Sequence, residues 1–307
     1  MPPRSLSLIA LALSVLVAAG CTRRARPDEA PTPESLEPGI YHVESGRRLD
    51  PGELIDELSD RRFIVLGEKH DEQWHHEIQT RIFEGVSDRG EGGFALGMEM
   101  FKRPFQSTLD AYVAGEIEEE AMLEQTEWKS RWGMDPALYR PLWRAARQRG
   151  LPIAALNARR ELTRKIARVG LDGLSDRERA ELPATIDTSI EAQRDYMEMV
   201  LGGGEHGGKM NLDYFIEAQA TWDETMAETA VAFLKGHPSV AGMVIVAGRA
   251  HARADFGIPP RIARRLGAET DRVASLIPFE AGRAQPFGPL TLENLRRRQI
   301  ADYVWVK

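Results

Sequence analysis

Two short apolar runs in this chain end in the same way. Phe63-Ile64-Val65-Leu66 leads into Gly67-Glu68-Lys69-His70, and Val244-Ile245-Val246-Ala247 leads into Gly248-Arg249-Ala250-His251. Each reads as a buried strand followed by Gly-x-x-His. In open α/β sheets, ligands bind in the crevice beyond the carboxyl ends of the strands. Two such His can therefore meet in one crevice, the glycine permitting a tight exit turn. Either His would equally serve only to cap its own turn.

A carboxylate joins them. Glu99 lies in the apolar run 93–100, between Met98 and Met100. Such a group is costly to bury unless it is paired or bound to a metal. Strand alternation puts Gly97 and Glu99 on one face and Leu96, Met98 and Met100 on the other. An ion pair with Lys102 or Arg103 would satisfy Glu99 without any function. Taken as chemistry, His70, His251 and Glu99 form a set of two imidazoles and one carboxylate for a divalent metal ion. That arrangement lowers the pKa of a bound water to about 7. Glu68 would then be a general base, with Arg140 or Asp223 in support. The reaction class is metal-dependent hydrolysis, of a peptide or an ester.

Two helices flank these groups. After the first strand, Trp74, Ile78, Ile82 and Val86 mark an inner face that includes His75. Asp71 is placed to N-cap this helix, which runs to about Ser87, and His76 points away. Residues 211–235 give an amphipathic pattern through Leu212, Phe215, Ile216, Trp222, Met226, Ala230 and Phe233. Gln219 and Asp223 sit in the middle of that stripe and must find partners. They line a polar pocket beside the strand ends, or join a buried network with an Arg.

The elements that must position these groups alternate. Strands are expected over 62–68, 93–100, 152–157, 243–248, 273–278 and 302–306. Residues 104–149 read as two or three helices, packed through Trp128, Trp132, Tyr139, Leu142 and Trp143. This predicts an α/β fold: a mixed, mostly parallel central sheet flanked by helices. A large helical cap falls between the third and fourth strands, with a flexible break at 202–208. No linker is evident after residue 40, so 40–307 reads as one domain.

The first 20 residues read as a signal peptide: Arg4, an apolar stretch over 6–17, then Val17-Ala18-Ala19-Gly20 before Cys21. Cys21 is the only Cys in the chain. Small residues before a lone Cys predict a bacterial lipoprotein signal, with Cys21 acylated. Residues 21–39 are rich in Pro and charge, which suits a flexible tether. Thr22 in place of Asp favours the outer membrane. One Cys excludes a disulfide scaffold and a Cys-rich zinc site. With 47 acidic against 40 basic residues, the net charge of −7 gives no global reason to bind nucleic acid.

The strings GEKHDEQWHHEIQ, GMEMFKRPFQSTLDAYVAGE, WGMDPALYRPL, PIAALNARREL, AQATWDETMAE and VAGRAH together resemble the ChaN family, bacterial lipoproteins of the Tiki superfamily. The matching blocks run from about residue 40 to 266. The resemblance implies a compact α/β domain that binds haem, with a role in iron acquisition at the outer membrane. It also implies a cofacial haem pair between two subunits, a homodimer, with a Tyr as iron ligand. Tyr139, Tyr196 and Tyr214 are the candidates for that Tyr, and His75 and Arg140 are further candidates for cofactor contact. With no Cys outside the lipidation site, axial ligation falls to His, Tyr or Met. The 10 Met and 6 Trp suffice to wall an apolar pocket, though an ordinary core uses them equally well. The Arg-rich runs 144–149 and 159–168 are candidate partners for haem propionates, or simply exposed helix faces. Superfamily relatives that are metal-dependent proteases use paired Gly-x-x-His motifs and an acidic residue, to which His70, His251 and Glu99 would correspond.

Overall fold

In a computed structural model the described residues are 35–89, 91–202, 211–267, 272–283 and 285–307. The strands are β1 (Gly39–His42), β2 (Arg48–Leu49), β3 (Phe63–Glu68), β4 (Phe94–Lys102), β5 (Ile153–Asn157), β6 (Gly242–Gly248), β7 (Val273–Phe279) and β8 (Tyr303–Val306). They form one sheet in the order β2-β1-β8-β7-β3-β6-β4-β5. From β8 across to β5 all pairings are parallel, while β1 runs antiparallel to both β2 and β8. β3, β4, β5 and β6 are buried at every residue, as parallel strands covered on both faces must be.

Before β5 come α1 (Pro51–Ser59), α2 (Gln73–Ser87), α3 (Gln106–Val113), α4 (Glu119–Gln125), α5 (Trp128–Arg131) and α6 (Pro136–Gln148). Between β5 and β6 lie α7 (Arg160–Val169), α8 (Asp176–Arg179), α9 (Glu191–Gly202) and α10 (Leu212–Gly236). α11 (Ile258–Leu266) follows β6 and α12 (Leu292–Arg297) precedes β8.

Two cores result, one on each face of the sheet. Ile64, Leu66, Leu96, Met98, Val244 and Val246 pack against α1, α2, α3 and α6. Phe63, Val65, Ala95, Met243 and Ile245 face α10 and α11. The α/β class and mostly parallel sheet are those expected. The expected strand positions hold to within about two residues, which is ordinary scatter at element ends.

Four features differ from expectation. The two-stranded antiparallel edge, β1 and β2, adds to the six strands foreseen; these strands are too short to show an alternation pattern. The segment 104–149 is broken into four α-helices rather than two or three. α10 is no lid: its buried face is part of the sheet's own core, so only α7 to α9 form a cap. And residues 35–39 are docked rather than loose, since Leu36 N–H donates to Leu290 O at 2.7 Å and Gly39 opens β1. Residues 1–34, including Cys21, and the break after Gly202 lie outside the described residues. Among the described residues no helix is long and apolar enough to cross a membrane.

The order of the sheet creates a crevice. From β3 the chain goes outward to β4 and β5, returns to insert β6 beside β3, then continues to β7 and β8 on the other side. The connections therefore diverge above β3 and β6, where helices on opposite faces part and a ligand has room.

Candidate functional site

Both Gly-x-x-His segments lie at that divergence. β3 and β6 pair in register to their ends, Glu68 opposite Gly248. Neither Gly67 nor Gly248 has a positive φ, so these glycines serve space and not backbone freedom. A Cβ on Gly67 would stand 3.1 Å from both the Ala252 Cβ and the Ile277 Cγ1. A Cβ on Gly248 would stand 3.0 Å from His70 Cε1 and 3.6 Å from Glu99 Oε2. Gly248 is thus the floor over which His70 and Glu99 converge. A Gly248→Val chain should displace the His70 ring, visible as a shifted imidazole resonance while the far-ultraviolet dichroism stays that of the parent.

Glu68 is buried and heavily used. Its Oε1 accepts from the Tyr139 hydroxyl at 2.7 Å and lies 2.7 Å from His70 Nδ1. Its Oε2 accepts from Gln79 Nε2 at 3.0 Å and lies 3.2 Å from His76 Nδ1. The Nε2 of His70 makes no protein hydrogen bond among the described residues, and its side chain is 35% exposed. Burial opposes charge on His70, but the Glu68 hydrogen bond and the Glu99 charge outweigh it and raise its pKa.

The second His is held differently. His251 Nδ1 sits 2.6 Å from Asp223 Oδ1, and Nε2 lies 3.6 Å from Glu99 Oε1. Glu99 Oε2 accepts from Gly248 N–H at 2.7 Å, beyond the last β4–β6 pair, where β4 is irregular against β5. Asp223 Oδ2 accepts from Gln193 Nε2 at 3.3 Å, and Gln193 Oε1 accepts from Arg261 at 3.0 Å. Lys102 does not form the ion pair considered for Glu99; its Nζ donates to the Glu99 carbonyl at 3.3 Å, and burial lowers its pKa to about 8. Arg103 is turned away, donating to the Glu181 carbonyl.

The site is therefore a chain of alternating acid and imidazole: Glu68, His70, Glu99, His251, Asp223. Burial opposes charge on His251, but Glu99 and Asp223 outweigh it and push its pKa up to about 9, from 6.5. A pKa raised on folding stabilises fully below the unfolded value and is lost as pH rises through the folded one. Stability in urea should therefore fall between pH 6.5 and about 9. In Glu99→Gln, which removes the main attraction, that slope should flatten.

The other expected residues are scattered. Tyr139, on α6, is fully buried behind Glu68 and stacks on Trp143; burial and the Glu68 carboxylate both raise its pKa. His75 is buried, accepts the Lys69 N–H at its Nδ1, and has its pKa lowered by burial to about 3. Tyr214 opens α10 beside Gly170, away from the crevice lining. Arg140 is held by Glu119 at 2.6 Å. Arg144, Arg147, Arg149 and Arg159 pair with Glu119, Glu118, Asp88 and Glu181 respectively. Of the Tyr candidates, Tyr196 lines the crevice.

Two expectations are corrected on α2. His76 does not point away; it is buried, with its ring 4.4 Å from Tyr139. The cause is that α2 is covered by α6 as well as by the sheet, so it has two inner faces. Asp71 does not cap α2; it pairs with Lys69 at 3.0 Å. Gln79 was missed, although it follows His75 by one helical turn. Gln193 carries no sequence signal at all.

The crevice has a volume of about 420 Å³, within the range of small-ligand pockets. Glu68, His70, Gly248 and His251 form its polar floor; Met197, Val200 and Phe215 from α9 and α10 form an apolar wall. Val200 is 50% exposed. Among the described residues, no three His, Cys, Asp or Glu side chains are grouped to hold a metal ion. His70 and His251 are each held at Nδ1 by a carboxylate, Glu68 and Asp223, and Glu99 Oε2 accepts from Gly248 N–H.

A family profile described as "Haem-binding uptake, Tiki superfamily, ChaN" matches residues 54–262. No curated protein matches the sequence significantly. Among solved structures, ChaN of Campylobacter jejuni, described with cofacial haem binding, superposes with a TM-score of 0.63 at 19% identity, over 87% of this chain and 95% of that one. The type III effector HopBA1 gives 0.46 at 11% identity, over 89% and 97%. An erythromycin esterase mutant, EreC in its open conformation, gives 0.45 at 15% identity, over 80% and 76%. At these identities the Campylobacter likeness is one of fold.

Proposed function

The chain belongs to the ChaN family of the Tiki superfamily across residues 54–262, and we propose that it binds haem in the crevice above β3 and β6. One observation carries the placement. His70 offers a free Nε2 to a crevice with an apolar wall, while its Nδ1 is fixed by a buried carboxylate. A carboxylate behind a ligating His orients the ring and raises its basicity. Haem would supply an iron that accepts a nitrogen ligand and an apolar surface that leaves water. His70 would hold the iron, and Met197, Val200 and Phe215 would cover the face. Tyr139, bound to Glu68, would position His70 from behind. Absorption titration with haemin tests this: a saturable Soret shift supports it, and growth of the free-haemin spectrum alone refutes it.

The reading includes the chain's ends and partners. Residues 1–20 serve as the signal peptide and Cys21 as the acylated anchor, with 21–34 linking it to a ChaN-like domain over 35–307. The outer membrane is the proposed location and haem or iron acquisition the proposed role. An open crevice with the exposed Val200 on its wall suits a second copy closing over the ligand, so haemin should drive dimerisation in sedimentation. Growth with radiolabelled palmitate should label the chain, and Cys21→Ser should abolish the label.

A second reading is favoured by one observation, the pair of carboxylate-held imidazoles facing one crevice. His70 Nε2 is placed to take a proton from water, and protonated His251 to stabilise the departing oxygen. Hydrolysis of a chromogenic ester that persists in a metal chelator and disappears in His70→Ala would support it. Absence of turnover across esters and peptides would set it aside.

A further inference from the structure

Among the described residues, Arg249 makes no ion pair with a carboxylate. It follows Gly248 at the end of β6 and lines the crevice with His70 and Tyr196. One nitrogen, Nη2, donates to the Pro278 carbonyl at 3.0 Å, and the guanidinium lies 4.9 Å over the Phe279 ring. Its Nε is buried and has no hydrogen-bond partner among the described residues. Glu280, the carboxylate whose charge bears on it, is already paired with Arg283 at 2.7 Å. Lys69, also on the crevice lining, is paired with Asp71.

A second orphan donor lies in its field. His75 accepts the Lys69 N–H at Nδ1, which leaves the proton on Nε2, and that Nε2 is buried without a partner among the described residues. Arg249 is the charge that bears most on His75. Buried donors without acceptors are costly, and a half-buried guanidinium without an anion adds to that cost. Sites that carry this cost usually return it when a ligand arrives. A guanidinium's fork geometry matches a carboxylate in particular.

We propose that Arg249 is the receptor for a carboxylate of the crevice ligand, which on the haem reading is a porphyrin propionate. Arg140, Arg144, Arg147, Arg149 and Arg159 do not fill this role, because each is paired with a carboxylate elsewhere. The Phe279 face beneath Arg249 keeps the guanidinium flat and limits its side-chain freedom, so little entropy is lost when the carboxylate docks.

The inference rests on the haem reading, and the test separates the two. Full-length protein is titrated with haemin and with haemin dimethyl ester, whose propionates carry no charge, and then the same pair is titrated into Arg249→Gln and Arg249→Lys. The proposal expects the parent to favour haemin by about tenfold or more, the worth of a charge-assisted contact. Arg249→Gln should erase that preference while still binding the ester, and Arg249→Lys should keep part of it. Equal binding of both porphyrins by the parent, or a preference that survives in Arg249→Gln, overturns the Arg249 assignment and leaves haem binding standing. Binding of neither porphyrin by the parent overturns both. The parent comparison needs no variant, so a poorly folded Arg249→Gln chain does not rescue the idea.

Discussion

Changing His70 to Ala should weaken haemin binding by about two orders of magnitude, some 2.7 kcal/mol, and remove the Soret band of the bound form. The expectation follows from where the donors stand. His70 Nε2 is unclaimed by protein, while Tyr139, a candidate on family grounds, gives its hydroxyl to Glu68 and is fully buried. Tyr139→Phe should therefore keep haemin affinity within about tenfold of the parent, the low end of what loss of support behind a ligand costs. Tyr196→Phe is the decisive companion, because Tyr196 also lines the crevice. If Tyr196→Phe abolishes the Soret shift and His70→Ala does not, the iron ligand is the phenol and the assignment to His70 is wrong.

The second large effect concerns stability. Glu224 is fully buried next to Asp223 on α10 and is engaged by three guanidinium groups of α11: Arg261 at 3.2 Å, Arg264 at 2.6 Å and Arg265 at 2.6 Å. Arg261 is itself fully buried. Removing one member of a buried ion cluster strands the rest, at about 3–5 kcal/mol. Glu224→Ala should lose about that much in urea unfolding, a large share of the roughly 5–15 kcal/mol typical of a domain. Since α10 also presents Asp223 to His251, haemin affinity should fall with it. Glu224→Gln keeps hydrogen-bonding capacity and should cost less. A loss below about 1 kcal/mol in Glu224→Ala, the median for exposed pairs, would mean that solvent reaches this cluster.

The parts of this account that were legible in the sequence share a physical reason. A strand buried on both faces must be apolar throughout, so FIVL and VIVA announced β3 and β6, and the ends of those strands announced the crevice. Asp223 was legible because a carboxylate in the centre of a helix's apolar stripe demands a partner; its partner is His251. What stayed hidden depends on contacts distant in sequence. His76 looked solvent-facing because a helical wheel assumes one buried face, and α6 supplies a second. The metal set looked plausible by residue type, yet among the described residues its members are not grouped to hold an ion, and the carboxylates behind the two imidazoles are contacts that spacing does not reveal. The strands β1 and β2 are too brief to carry periodicity. Arg249 stood in plain view inside Gly-x-x-His, but its distinction, the lack of a counter-ion, is visible only once the carboxylates around it are placed.

The central claim is that the crevice above β3 and β6 takes haem through His70. The most direct test is an absorption titration of the full-length protein with haemin, followed through the Soret region. The account predicts a saturable shift approaching one haem per chain, with a spectrum characteristic of nitrogen ligation. A spectrum that only sums free haemin and protein at every ratio would contradict it.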